Sequence, residues 1–86
     1  MDYKTTALDI KIKEMASRIG ELRELEGKTI AEMAAYTDVT QAEYEACESG
    51  QQDLNFAFIY RCAQIINVNV TDIIEGVSPT LNSLVI

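Results

Sequence analysis

Little in this 86-residue chain has the type and spacing for bond-making or metal chemistry. There is no histidine, and the two cysteines, Cys47 and Cys62, match no zinc-site spacing. Both are expected as small buried apolar residues rather than a redox pair. No Gly-rich phosphate loop, nucleophile motif or metal-ligand cluster occurs, so neither an enzyme nor a cofactor is expected. What remains is hydrogen-bonding chemistry, concentrated in Thr29 to Gly50, TIAEMAAYTDVTQAEYEACESG. Thr29 with Glu32, and again Thr40 with Glu43, have the spacing of a capping box, in which hydroxyl and carboxylate satisfy free helix N–H groups reciprocally.

The stretch predicts two short helices joined by a tight turn near Thr37-Asp38-Val39. The first runs to about Tyr36, and its alanines permit close helix approach. The second runs from Thr40 to about Glu48, turns Tyr44 and Cys47 inward, and stops at Ser49-Gly50. Such a helix-turn-helix lays its second helix in a DNA groove. This one carries Glu43, Glu45 and Glu48 and no basic residue.

The flanking elements must hold that unit. Met1 to Leu8 has no clear period, and residues 1–10 are expected as a flexible lead. Asp9 is a candidate cap, and Ile12, Met15, Ile19, Leu22 and, at the end of the run, Leu25 then step by three or four, predicting a helix from about Ile12 to Glu26 closed by Gly27. Gly20 within it costs on the order of 1 kcal/mol against Ala, which points to a break or a close packing contact. Asn55 caps a fourth helix whose expected apolar stripe is Phe56, Ile59, Tyr60, Ala63 and Ile66, with Asn67 at its end. Thr71 is the expected cap of a short last helix, DIIEG. The domain is thus placed at 11–76. Residues 77–86, VSPTLNSLVI, read either as a linker into a further, β-rich domain or as a segment packed on this domain or a twin chain.

One small core is expected from this length. No apolar run approaches the ~20 residues of a membrane helix and no signal peptide is seen, so the expected compartment is the cytoplasm. The net charge of −7 is unevenly placed. Residues 1–28 hold six cations and six acids, whereas residues 29–86 hold Arg61 against eight acids. The whole excess therefore sits with the groove-reading unit, which disfavours phosphate affinity.

Three segments, RIGELRELEGKT at 18–29, IAEMAAYTDVTQAEYEACESG at 30–50 and INVNVTDIIEG at 66–76, together resemble the XRE family of Cro-like and phage-repressor-like DNA-binding domains. The resemblance implies an all-α, five-helix lambda-repressor-like fold, serving a transcriptional regulator that acts as a homodimer on double-stranded DNA. The wording YEACESGQQDLNFAFIYRCAQ further resembles XRE regulators with a C-terminal cupin, a small β-barrel that would follow residue 76. The resemblance pairs Arg23 with Glu48 as a structural ion pair. It carries base reading to Gln41, Ala42, Glu43 and Ala46. Gln41 suits adenine, Glu43 a cytosine amine, and the alanines a thymine methyl. Backbone contact falls in the family on the position of Ile30, whose side chain cannot make it; the N-termini headed by Thr29 and Thr40, with Lys28, Gln51 and Arg61, are the further candidates for phosphate contact. Ile30 stands where the family often has a phosphate-binding Gln, and Asp38 where the turn often has Gly. The competing expectation is a protein-binding module that keeps the shape and turns its acidic third helix toward a basic partner.

Overall fold

A threonine followed three residues later by a carboxylate starts three of the five helices. The structure, a computed structural model, describes residues 6–76. The order is α1 (Ala7–Glu26), α2 (Ile30–Thr37), α3 (Gln41–Glu48), α4 (Phe56–Ile65) and α5 (Val70–Ile74), with no strand among the described residues. In α1 the Thr6 hydroxyl accepts from the Asp9 N–H at 3.1 Å, and the Asp9 carboxylate accepts from the Thr6 N–H at 3.2 Å. Residues 7–10 are therefore helical rather than part of a flexible lead, and Asp9 closes a capping box instead of heading the helix. The apolar period begins only at Ile12 because the first turn does not touch the core; Leu8 and Ile10 stay exposed, and at the other end Leu25, expected on the apolar stripe, is exposed as well because the last turn runs past the core. The rest of the expected lead, and the 77–86 segment with its cupin junction, lie outside the described residues.

The helices enclose one core. Ile12, Met15 and Ile19 of α1, Met33 of α2, Tyr44 and Cys47 of α3, and Ile73 of α5 meet Phe58, Ile59, Cys62 and Ala63 of α4. α1 packs on α3 and α5, while α2 packs on α3 and α4. Tyr44 and Phe58 lie with ring centroids 5.8 Å apart. Burial pushes the Cys62 thiol up to about 12 and also raises Cys47, so both thiols stay protonated near neutral pH.

Two features of α4 and α5 differ from expectation. The buried face of α4 holds Phe58 and Cys62, while Phe56 is 62% and Tyr60 46% exposed. The run FAFIY is apolar nearly all round, so its period does not choose a face; packing against α2 does. The last helix starts at Val70, two residues early, because the Asp72 carboxylate accepts from the Asn69 N–H at 3.0 Å. Asn67 leaves α4 at φ 61.

Long-range polar ties fix the ends. Arg23 Nε donates to Glu48 Oε1 at 2.9 Å and Nη2 to Glu48 Oε2 at 3.0 Å, with both side chains largely buried. Arg23 Nη1 also donates to the Lys28 carbonyl at 3.0 Å. Gly20 makes room for this pair: a Cβ there would sit 2.9 Å from Glu48 Oε2. Arg18 Nη1 donates to the carbonyls of Ile73 and Ile74 at 2.8 and 3.0 Å, satisfying the C-terminus of α5. Among the described residues the fully buried Tyr44 hydroxyl has no hydrogen-bond partner. Burial and the nearby Glu48 carboxylate push its ionisation well above the usual phenol range.

Glu48→Ala is expected to strand the Arg23 guanidinium and cost about 3 kcal/mol, lowering the thermal midpoint by roughly 12 °C or more. Tyr44→Phe removes an unpaired hydroxyl and is expected to leave the midpoint unchanged or raised. Circular-dichroism melts of both variants test this, and unchanged melting of Glu48→Ala would exclude a stabilising role for the pair. The acid limb carries a second expectation. Hydrogen bonding to the Thr29 backbone holds the Glu32 carboxyl below its usual 4.5. Its contribution is complete above the unfolded-state value and is lost as pH falls through the lower folded-state value. Glu32→Gln should therefore flatten the loss of stability seen on acidifying below about pH 4.5, measured by melts across that range.

Candidate nucleic-acid interface

The turn between α2 and α3 closes without glycine. Asp38 takes the left-handed conformation at φ 64, ψ 44, which Asp tolerates better than most residues. The N–H groups of Asp38 and Val39 donate to the carbonyls of Ala35 and Ala34 at 3.3 and 3.1 Å, and Val39 packs against the core. Thr37 is buried with its hydroxyl on the Met33 carbonyl at 2.7 Å. The turn is thus pinned on both sides, and α3 leaves it in a fixed direction.

With Tyr44 and Cys47 turned inward, α3 presents Gln41, Ala42, Glu43 and Glu45 as its exposed residues, with Ala46 half-buried among them. Gln51 is exposed beyond the helix, and its N–H donates to the Ala46 carbonyl at 3.0 Å. Lys28, Thr29 and Ile30 lie at the start of the neighbouring α2. Ile30 packs against the core rather than standing free. Lys28 is close enough to Glu32 for its charge to help lower that carboxyl.

The acids of α3 have separate commitments. Glu48 is held by Arg23. The Glu43 carboxylate accepts from the Thr40 N–H at 2.9 Å, and the Thr40 hydroxyl accepts from the Glu43 N–H at 3.0 Å. Glu43 therefore occupies the start of its own helix, where a base-reading posture would need that bond broken. Of the acids of α3, Glu45 is the one left exposed with no such bond among the described residues. Glu32 fills the N-terminus of α2 in the same way, at 2.8 Å from the Thr29 nitrogen. A phosphate at either N-terminus would have to displace a carboxylate.

Sequence reasoning found the cap of α4 but not what sets its first turn apart. Asn55 caps it, accepting from the Phe58 N–H at 2.8 Å, and its first turn holds no acid. The first turns of α1, α2, α3 and α5 each contain one. The signal was present: the residue three after Asn55 is Phe58, where Thr6, Thr29, Thr40 and Asn69 are each followed by a carboxylate at that spacing. Beside this start, Arg61, the one charged residue of α4, shares a groove with Asp38 and Asp53. No group of three or more metal-ligating side chains converges among the described residues.

Comparisons with known proteins fit this geometry. The family profile described as Helix-turn-helix, HTH_3, matches residues 19–73, which include every helix of the turn unit. The fold superposes on the Clp gene regulator ClgR from Corynebacterium glutamicum with a TM-score of 0.73, covering 87% of this chain and 80% of that one at 13% identity. No curated protein matches the sequence significantly. Since the profile spans well over half of the chain and coincides with the pinned turn and its exposed third helix, this protein belongs to the XRE-type helix-turn-helix family of DNA-binding regulatory domains.

Proposed function

We propose that α3 enters the major groove of double-stranded DNA with Gln41, Ala42 and Ala46 at the base edges. The observation that carries this reading is the division of labour on α3: Glu48 and Glu43 are each held by protein groups, which leaves Gln41 and Ala42, with Ala46 one turn on, as its uncharged outward side chains. Gln41 offers a donor and an acceptor for adenine, and the alanines offer apolar contact to thymine methyls. Gln51, Lys28 and the acid-free N-terminus of α4 serve the phosphates. Glu43 acts as a cap and contributes to the groove only through its position.

So few cations imply weak binding by one domain. Two copies on a two-fold site would combine their contacts, and the regulator is read as a cytoplasmic homodimer in which a C-terminal cupin would sense a ligand. No step of this function is catalytic.

Fluorescence anisotropy with mixed-sequence duplex DNA at low and moderate salt tests the reading. Binding is expected at low salt and should weaken as salt rises. Lys28→Ala should reduce the salt slope by about one. Glu45→Gln should tighten binding to all sequences alike. Gln41→Ala should cost about 1–3 kcal/mol on the preferred site and relax its sequence preference. Absence of binding at low salt would refute the proposal.

A further inference from the structure

We infer that Lys13 of α1, which the fold lays against the loop leaving α3, is a phosphate-contacting residue of the DNA interface. The inference rests on the reading above and adds to it a cation from outside the turn unit. The loop turns at Gly50, φ 80, and Gln51 follows, exposed, with its N–H on the Ala46 carbonyl. Gly50 lies hard against α1: a Cβ there would sit 3.1 Å from Lys13 Cγ and 3.5 Å from Lys13 Cα. The contact sets an exposed lysine beside the residue that precedes Gln51.

Charge placement gives this contact its use. The phosphate contacts proposed above fall before α3, at Lys28, and after it, at Gln51 and the start of α4. After α3 the chain supplies one cation, Arg61, which shares its groove with Asp38 and Asp53. Six of the seven cations precede Thr29, yet the fold returns Lys13 to the end of the reading helix. Position along the chain therefore overstates the deficit of positive charge at the interface.

The surroundings of Lys13 leave its ammonium available. The residues one turn away on α1 are Asp9, Ile10, Ala16 and Ser17. The single acid among them, Asp9, is engaged at the cap, where it accepts from the Thr6 N–H. The stem of Lys13 packs on Gly50 while the side chain stays exposed, so the flexible four-carbon chain can deliver a point charge to a phosphate. Lys11 is the natural control. Two residues apart on a helix, it points about 160° away from Lys13.

Anisotropy titrations of mixed-sequence duplex over a salt series, with the 86-residue chain, Lys13→Gln and Lys11→Gln, test the inference. Glutamine keeps the Cβ and Cγ that lie against Gly50, so the thermal midpoint of Lys13→Gln should not move. Lys13→Gln should lower the salt slope by about one and weaken binding to all duplexes alike. Lys11→Gln should leave the slope as it is. An equal fall in both variants would make the effect one of net charge and overturn the assignment. Lysine footprinting of the unmutated protein with an amine-acylating reagent, read by mass spectrometry, does not depend on how the variants fold. Duplex should slow acylation of Lys13 and not that of Lys11. An unchanged slope in Lys13→Gln, or equal acylation of Lys13 with and without duplex, would overturn the inference. If Lys28→Ala still lowers the slope in that case, Lys13 leaves the interface and the DNA reading stands. If the unmutated chain binds no duplex at low salt, both fall.

Discussion

The ion pair between Arg23 and Glu48 is the constraint on which the other contacts depend. It joins the last turn of α1 to the last residue of α3, and through Arg23 Nη1 it also holds the Lys28 carbonyl just before α2. Three elements thus share one guanidinium. A largely buried ion pair of this kind gains little over an apolar substitute but becomes costly when one member is lost. Its value is geometric: with both ends of the turn unit referred to α1, α3 has one direction relative to the domain. Gly20 belongs to the same arrangement, since any side chain there would press on the Glu48 carboxylate.

The same economy governs the acids. A chain with twice as many carboxylates as cations looks hostile to DNA. Four of those carboxylates, Asp9, Glu32, Glu43 and Asp72, accept from backbone N–H groups at helix starts, and Glu48 is neutralised by Arg23. Helix N-termini favour negative charge, so these acids stabilise the fold while their outward field is reduced. The repulsion that a phosphate backbone meets is then set by position, chiefly by Glu45 and the groove acids Asp38 and Asp53, more than by the net count.

The helices and the starts of α2, α3 and α4 were legible in the sequence because capping is local: a Thr, Asn or Asp and its partner three residues on need no tertiary information. The first turn of α1 was not, since apolar periodicity records only turns that touch the core. The face of α4 was not, because FAFIY offers apolar side chains in most directions and only packing against α2 decides. Tyr60, expected inside, is outside for that reason. Thr71 and Asn69 are both plausible caps for α5, and Asp72 selects Asn69. For the candidate site, the exposed positions of α3 could be placed from the turn. The use of Glu43 could not, because one carboxylate suits both a cap and a base contact and only geometry separates them. Arg18 gave no signal, since its acceptors are backbone carbonyls 55 and 56 residues away.

That Arg18 contact makes α5 a dependent element. Five residues form too short a helix to persist alone, and this one borrows its C-terminal satisfaction from α1. Its anchor, Ile73, is fully buried, so α5 cannot detach without opening the core beside α1 and α4. Local opening in such a domain begins where packing is thinnest. Here a pull on the chain at Gly76 would be borne first by Arg18 and the apolar side chains of α5, Ile73 with Val70 and Ile74, and the strain would pass into α1, the helix that also holds Glu48 and hence the orientation of α3.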